Sequence, residues 1–319
     1  MATMLRSTKA QESPRKAPWR RDIRKTLTLL LMGAPGLLLL FVFVYLPMAG
    51  IVIAFTNYKF DKGVFGSDWV GLNNFKFLFA TSDTLRVTWN TLFMNGLFII
   101  TGTVASIAVA ILMNEVHTKL RARLYQSAMF FPYFISMVVV GYFVFAFLST
   151  DDGLINRFLT SIGAKPVSWY RSPQHWPAIL VIVNLWKGVG VGSIIYLAGI
   201  LAISPEIFEA ARIDGATKGQ QIIYITLPLL TPIIVILVLL SIGNIFRADF
   251  GLFFTVTRDQ PQLYPTTDVI DTFVYRALRK SGDISLAAAA GFYQSIVGFI
   301  LVLVANWVVR RVDPDRSLF

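Results

Sequence analysis

The chain has 319 residues, of which 55% are hydrophobic and only 15% are charged. This balance is typical of a polytopic membrane protein and not of a single soluble domain. The absence of cysteine excludes disulfides, thiolate chemistry and thiolate metal sites. The net charge of +11 would favour nucleic-acid binding in a soluble protein. Membrane topology accounts for the basic residues here, so we expect no nucleic-acid partner.

The chain order predicts a basic arm followed by a membrane domain. Residues 1–26 are polar and basic, and we expect a disordered cytoplasmic arm that touches anionic lipid headgroups. Residues 27–309 are predicted to form six transmembrane helices, because each apolar run reaches the roughly 20 residues that cross a bilayer. Residues 310–319 would form a cytoplasmic tail. The predicted spans are Leu27–Phe55, Thr91–Met113, Tyr125–Leu148, Ala178–Ile203, Leu229–Phe246 and Leu286–Val309.

The distribution of basic residues predicts the orientation. Lys and Arg are in excess on the side that carries both termini and the loop 204–228. Cytoplasmic loops of membrane proteins carry such an excess. The sequence therefore predicts an all-α membrane fold with both termini in the cytoplasm.

The loop 204–228 is a polar insert between the fourth and fifth predicted spans. Ser204 as N-cap, Pro205 at the first helical position and Glu206 in the first turn predict the start of a helix. Asp214-Gly215 predicts a turn or a helix break. A short helix held at the membrane face by two spans would be a docking element for another protein.

This loop resembles the signature loop of the permease subunits of type I ABC importers. The matching positions are Glu209, Ala210, Ala211, Asp214, Gly215, Ala216, Ile225, Leu227 and Pro228. The resemblance implies a coupling helix that docks into a cytoplasmic ATP-hydrolysing subunit. The implied contacts are Glu209, Ala210, Ala211, Asp214 and Gly215. Glu209 would be the charged contact, and Gly215 would let the chain turn. An ordinary amphipathic loop helix is the alternative interpretation.

Polar residues inside the predicted spans are candidate substrate contacts. Lys187 lies about ten residues into the fourth span, or roughly 15 Å deep, where a charge should face a cavity or a partner. Ser241, Asn244 and Arg247 follow at i, i+3 and i+6, which places them on one helical stripe. The alternatives are an ion pair with another subunit for Lys187, interhelical hydrogen bonds for Ser241 and Asn244, and snorkelling for Arg247.

A resemblance to the maltose-importing permeases extends this prediction. It implies sugar contacts at Tyr133, Lys187, Gly188, Ser241, Asn244 and Arg247. Lys187 stands where an apolar residue would be expected for a neutral sugar. Two cations beside an aromatic ring would favour carboxylates through charge-assisted hydrogen bonds. We therefore expect acidic oligosaccharides, for example uronate-containing ones such as alginate, with neutral oligosaccharides as the alternative.

Three other stretches resemble members of this family. Trp69–Phe75 resembles a short motif of the sugar-importing members, whereas Asp268–Arg276 and Ala287–Gly291 resemble permeases for polysaccharide breakdown products. The first would equally well pack a loop onto the membrane surface.

The sequence excludes ATP hydrolysis by the common phosphate-binding loop. No Gly-Lys dipeptide occurs, so Gly-x4-Gly-Lys-Ser/Thr cannot be present. We expect no enzyme activity and no cofactor on this chain, with ATP and Mg²⁺ bound by partner subunits. Asp151-Asp152 is the one adjacent carboxylate pair, and Asp152-Gly153 is typical of a turn.

The resemblance implies a permease in the bacterial inner membrane with several partners. These are a second, similar permease, two ATP-binding subunits, a solute-binding protein, the oligosaccharide and membrane lipid. An ion-driven secondary transporter is the second hypothesis. It would need acidic residues within the spans, and the six predicted spans contain none. A membrane-embedded enzyme is a third, without a convincing acid cluster or metal site.

Overall fold

The computed structural model describes residues 23–80, 82–116 and 118–312. Most of the predicted arm (residues 1–22) and most of the predicted tail (residues 313–319) lie outside the described residues. The described chain divides into two compact units between Ile51 and Val52. Helix α1 begins at Ile23, four residues before the predicted start of the membrane domain, and the last helix extends to Val312.

The described residues are mostly helical, and the α-helices are numbered in chain order. They are α1 (Ile23–Leu40), α2 (Leu46–Met48), α3 (Gly63–Gly66), α4 (Asn73–Ala80), α5 (Ser82–Asn114), α6 (Lys119–Phe134), α7 (Met137–Leu148), α8 (Leu154–Ser161), α9 (Trp176–Leu201), α10 (Pro205–Ile213), α11 (Lys218–Gln221), α12 (Leu227–Gly243), α13 (Tyr264–Thr267), α14 (Ile270–Ser281) and α15 (Ile284–Val312).

Shorter segments connect these helices. The π-helical segments are Phe41–Tyr45, Ile222–Thr226 and Leu252–Val256. The 3₁₀ segments are Ala49–Phe55, Trp169–Arg171, Pro173–His175 and Pro261–Leu263. Two short strands, β1 (Thr56–Asn57) and β2 (Asp68–Trp69), pair antiparallel with Thr56 opposite Trp69.

Five helical segments are long and apolar enough to cross a membrane, and a bent pair brings the number to six. The five are Leu27–Phe55, Asp83–Asn114, Pro173–Leu201, Lys218–Gly243 and Ile284–Arg311. They confirm five of the predicted spans. The fifth predicted span differs at both ends, because the helix resumes at Lys218 and stops at Gly243, three residues before Phe246.

The third predicted span, Tyr125–Leu148, is not one continuous helix. It consists of α6 and α7, whose axes bend by 96° at Ile135 and Ser136. Both residues have extended backbones, with ψ angles of 129° and 140°. Ser136 then caps α7 by accepting a hydrogen bond from the backbone N–H of Val138. Pro132, three residues earlier, cannot donate to the helical ladder, which weakens α6 near the break.

The core of the second unit lies where α5 packs along α9. Buried side chains from these helices, from α7 and from the second half of the unit form one cluster: Met94, Val140, Trp176, Leu180, Phe253 and Leu263 are among its members. Helix α6 approaches α9 at Gly190, where a Cβ atom would lie only 2.2 Å from the carbonyl oxygen of Met129. A glycine is therefore needed for this helix contact.

The Trp69–Phe75 stretch packs the loop after the first span. The Trp69 ring stacks on Phe55 with 5.6 Å between centroids, and Phe75 contacts the same ring. The Asn74 side-chain amide donates to the carbonyls of Ala54 (2.9 Å) and Thr56 (3.0 Å). These contacts hold the motif against residues 54–56, and packing of the loop onto the membrane surface stays a prediction.

A buried ion network anchors the segment before α15. The carboxylate of Asp268, only 2% exposed, pairs with Arg276 and accepts a hydrogen bond from Thr272 at 2.9 Å. Arg276 also pairs with Asp259 at 3.1 Å. Asp268 lies two residues before α14, and Thr272 and Arg276 follow at i+4 and i+8. The network therefore joins the segment before α14 to one side of this helix.

Candidate functional site

The predicted docking element is a distinct short helix. Helix α10 begins at Pro205 and ends at Ile213. Ser204 occupies the predicted N-cap position, but its side chain makes no capping hydrogen bond. Pro205 at the first helical position, where no N–H is needed, starts the helix instead.

The two faces of α10 have different surroundings. Phe208 and Arg212 line a cavity of about 320 Å³ between α10, the end of α5 and α11. Glu209, Ala210 and Ile213 lie on the opposite, exposed face, and the Ile213 side chain is 87% exposed. A large apolar residue beside a carboxylate on a free helix face is suited to contact another protein.

The end of α10 has the predicted turn. Asp214 is the C-cap residue, and Gly215 has φ +80°, a conformation that favours glycine. The backbone N–H of Ala216 donates to the carbonyl of half-buried Ala211 at 2.9 Å, which closes the turn. Thr217 then caps α11.

An ion pair ties this loop to another span. The ammonium of Lys218 in α11 contacts both carboxylate oxygens of Glu115, just after α5, at 2.9 and 3.0 Å. The loop is therefore joined to α9 and α12 by the chain and to α5 by charge.

A second cavity, of about 510 Å³, lies between α5, α9 and α12. Three of the predicted substrate residues, Ser241, Asn244 and Arg247, line it. The Ser241 hydroxyl donates to the carbonyl of Leu237, and the Asn244 amide donates to the carbonyl of Leu240. Each of these bonds reaches back one turn along the same segment of the chain. The interhelical bonds considered for these two side chains are absent from the described contacts. Their remaining acceptor oxygens can bind a ligand.

Sequence reasoning missed the α5 side of this cavity. Asn95, Thr103 and Ser106 line it, together with Tyr196 of α9. The signal was present, since Asn95, Gly102 and Ser106 lie at i, i+7 and i+11 and mark one face of an apolar helix. The Asn95 amide donates to the carbonyl of Ile245 at 2.8 Å and so fixes the turn that leads to Arg247.

Arg247 lies four residues beyond the end of α12 and is exposed. The nearby Asp271 carboxylate accepts hydrogen bonds from the Ala248 N–H (2.8 Å) and the Gln294 amide (3.3 Å). Burial raises the pKa of Asp271, while the Ala248 hydrogen bond and the charge of Arg247 oppose this rise. The described contacts of Arg247 include no ion pair within 4 Å, so its guanidinium remains available to a ligand.

Lys187 has different partners from those expected. Its ammonium donates to the carbonyls of Pro132 (3.3 Å), Tyr133 (2.9 Å) and Ile135 (2.5 Å). An ammonium has three donors, so all of them go to the end of α6. Tyr133 lies beneath it, with the ammonium 5.8 Å from the ring centre.

The six predicted substrate residues therefore form two groups. Ser241, Asn244 and Arg247 share the 510 Å³ cavity, whereas Lys187 and Tyr133 meet at the break between α6 and α7. Gly188 follows Lys187, and open space surrounds the position of its absent Cβ atom.

Residues 102–316 match the model of the family described as binding-protein-dependent transport system inner membrane component. The chain belongs to this family. It is a multi-pass transport subunit of the inner membrane and not an enzyme.

Two relatives match this chain over nearly its whole length. The permease is 32% identical to Protein LplB of Bacillus subtilis over 93% of both chains. It is 34% identical to the polygalacturonan/rhamnogalacturonan transport system permease protein YteP of the same organism, over 90% of this chain and 89% of the relative.

A solved structure confirms the fold of the permease. It is that of a bacterial ABC transporter involved in the import of the acidic polysaccharide alginate. The match has a TM-score of 0.82 at 34% identity and covers 92% of this chain and 98% of the other. A second structure of the alginate transporter, in complex with an alginate pentasaccharide-bound periplasmic protein, matches equally well.

Proposed function

We propose that the permease is one membrane subunit of an ATP-driven, binding-protein-dependent importer of acidic oligosaccharides. The observation that carries this proposal is the 510 Å³ cavity among the spans, where Ser241, Asn244 and Arg247 lie on one side. Hydroxyl and amide groups suit sugar hydroxyls, and a guanidinium suits a carboxylate through two parallel hydrogen bonds.

The relatives support the same cargo class. One is named for transport of polygalacturonan and rhamnogalacturonan, and the matching solved transporter imports the acidic polysaccharide alginate. Both are similar to this chain over nearly its whole length.

The proposed complex contains a second, similar permease that completes the pathway, two ATP-binding subunits and a solute-binding protein. ATP and Mg²⁺ would be bound by the ATPase subunits, which dock on the exposed face of α10 through Glu209, Ala210 and Ile213. The loop and both termini would then lie in the cytoplasm. Closure of the ATPase subunits would move α10 and, through its short connections, rock α9 and α12.

Import of neutral oligosaccharides is the second candidate. It is favoured by the contacts of Lys187, whose donors all go to backbone carbonyls. Arg247 then remains as the cation among the residues that line the 510 Å³ cavity, beside neutral polar side chains.

Transport assays with a matched pair of cargoes test the proposal. The complete transporter is reconstituted in vesicles with its binding protein. Uptake is measured for short oligogalacturonates and for their methyl esters, which have the same number of sugar units but no charge. We expect uptake of the acid. Arg247→Gln should lower it about tenfold or more, the value of one charged hydrogen-bond pair, and leave ester uptake unchanged.

The exposed Arg279 of α14 lines none of the cavities described above, and Arg279→Gln is the matched control. Uptake of the ester but not of the acid by the unmodified transporter would contradict the acidic cargo.

A further inference from the structure

A polar cavity lies at the opposite end of α9 from the docking helix. Arg171 precedes the start of α9, and α10 follows its end. A helix of 26 residues is about 39 Å long, enough to cross a bilayer. With α10 in the cytoplasm, this cavity opens on the outer side of the membrane, where a binding protein releases its cargo.

The cavity, of about 250 Å³, is lined by groups that bind sugars and carboxylates. Two guanidiniums, Arg171 and Arg258, and two amides, Gln260 and Gln262, supply donors. The Tyr170 ring forms part of the wall. Burial raises the pKa of Tyr170 to about 12, so the phenol is neutral at physiological pH. Its hydroxyl donates to the Val256 carbonyl at 3.3 Å.

Neither arginine is neutralised within the described residues. The ion pairs described in this region join Arg157 to Asp152 and Arg276 to Asp259. Among the described residues, neither Arg171 nor Arg258 has a carboxylate within 4 Å. Asp151 also lines the cavity, so two cations face one acid and the lining has a positive charge.

Arg258 is held in place by unusual backbone and ring contacts. It has φ +58°, and Arg258 and Asp259 are the two non-glycine residues with positive φ in the described chain. The guanidinium lies 4.0 Å from the centre of the Phe145 ring. A costly backbone conformation that fixes an unpaired cation in a cavity wall is typical of a binding site.

Arg258 also lines a neighbouring cavity that extends along α7. This neighbouring cavity, of about 240 Å³, is lined by Arg258 and Phe145 at one end and extends past Tyr142 to Val138. Val138 lies two residues after the break between α6 and α7. A ligand held by Arg258 would therefore be at the outer end of a line of cavities that leads into the spans.

The geometry points to a receiving subsite for the carboxylate of an acidic oligosaccharide in this Arg258 cavity. This inference rests on the proposed function. Arg258 and Arg171 bind the carboxylate of one sugar unit, Gln260 and Gln262 bind hydroxyl groups, and Asp151 accepts a hydrogen bond from a hydroxyl. The subsite is separate from the 510 Å³ cavity that contains Arg247.

The test uses the complete transporter in vesicles of phosphatidylcholine, with saturating loaded binding protein. Uptake of oligogalacturonate and of its methyl ester is compared for Arg258→Gln, Arg258→Lys and Arg171→Gln. Arg157→Gln is the matched control, because Arg157 is an exposed arginine on the same side and is paired with Asp152 outside the cavity lining.

We expect Arg258→Gln to lower uptake of the acid about tenfold and to leave the ester unchanged. Arg258→Lys should give a smaller loss, because a lysine keeps the charge without the bidentate geometry. Arg157→Gln should transport both cargoes normally.

Three results would overturn the inference. Normal acid uptake by Arg258→Gln and Arg171→Gln would exclude the subsite, while acid uptake by the unmodified transporter would leave the proposed function intact. An equal loss for acid and ester would make Arg258 a contact for the binding protein or the fold. A loss seen only after phosphatidylglycerol is added to the vesicles would make a lipid headgroup the ligand.

Discussion

The ammonium of Lys187, within α9, donates a hydrogen bond to the carbonyl of Ile135 at 2.5 Å, in the gap between α6 and α7. The last carbonyls of a helix have no partner within the helix and carry a partial negative charge. Two more of them, from Pro132 and Tyr133, bind the same ammonium. A residue of one span therefore stabilises the break in another.

Replacing Lys187 should loosen this break. Lys187→Met leaves three carbonyls without their charged donor and should destabilise the complex by about 1–2 kcal/mol. Uptake of acidic and methyl-ester cargo should fall together. Lys187→Arg keeps the charge and should recover most of the stability. Thermal unfolding of the purified complex and uptake assays measure the two effects. A loss confined to acidic cargo, with unchanged stability, would show that Lys187 contacts the substrate as the sequence-based prediction has it.

Two glycines on α9 should respond differently to the same change. A Cβ atom at Gly190 would overlap the backbone of Met129, so Gly190→Ala should force α6 and α9 apart at a cost of about 1–3 kcal/mol. Gly188, two residues earlier, has open space and should accept alanine without loss. Thermal unfolding of both variants is the measurement. Equal stability of the two would contradict the close helix contact. If Gly188→Ala folds normally but transports poorly, Gly188 lies on the substrate pathway.

The Asp268–Arg276 pair should contribute far more to stability than a surface pair. Arg276→Leu leaves the buried Asp268 carboxylate without its main partner, and we expect a loss of about 3–5 kcal/mol. Arg157→Leu breaks the exposed pair with Asp152 and should change stability by less than about 1 kcal/mol. Denaturation of the two variants in the same detergent compares them directly. Similar losses would mean that the buried pair is solvated in the complex.

Variants of the docking helix should uncouple ATP hydrolysis from transport. Gly215→Pro cannot adopt the φ of +80° at the end of α10, and Glu209→Lys reverses the charge on its exposed face. We expect ATPase activity that no longer depends on loaded binding protein, with uptake reduced more than tenfold. Gly219→Ala, in α11 with open space and without positive φ, is the control. Normal uptake by both docking variants would exclude this role for α10.

Features that depend on neighbouring residues in the sequence could be predicted, and features that depend on distant contacts could not. The start and end of α10 follow from Pro205 and Gly215 themselves, and the spans follow from the length of apolar runs, so both were predictable. The bend after α6 was not, because the stability of its open carbonyls depends on Lys187, more than 50 residues away. The positive φ of Arg258 has no local signature either, since arginine rarely adopts it.

The 510 Å³ cavity among the spans was predictable in part. Ser241, Asn244 and Arg247 were found from their spacing on one predicted helix. Asn95 and Ser106 have an equally regular spacing on α5 and could have been found in the same way. In the structure only Ser241 lies within α12, because the helix ends at Gly243, so Asn244 and Arg247 do not continue the predicted helical stripe. That these residues face Asn95 and Ser106 is a result of packing between α5, α12 and the turn after α12, which no local pattern contains.

Uptake by vesicles with and without the ATPase subunits tests most directly whether transport by this permease is driven by ATP hydrolysis on partner subunits. The permease and its partner permease are reconstituted with loaded binding protein, in the presence or absence of the ATPase subunits and ATP. We predict uptake only when the ATPase subunits and ATP are both present, because the proposal makes α10 a docking site for those subunits and this sequence has no phosphate-binding loop. Cargo uptake at the full rate by the permeases alone would contradict the account.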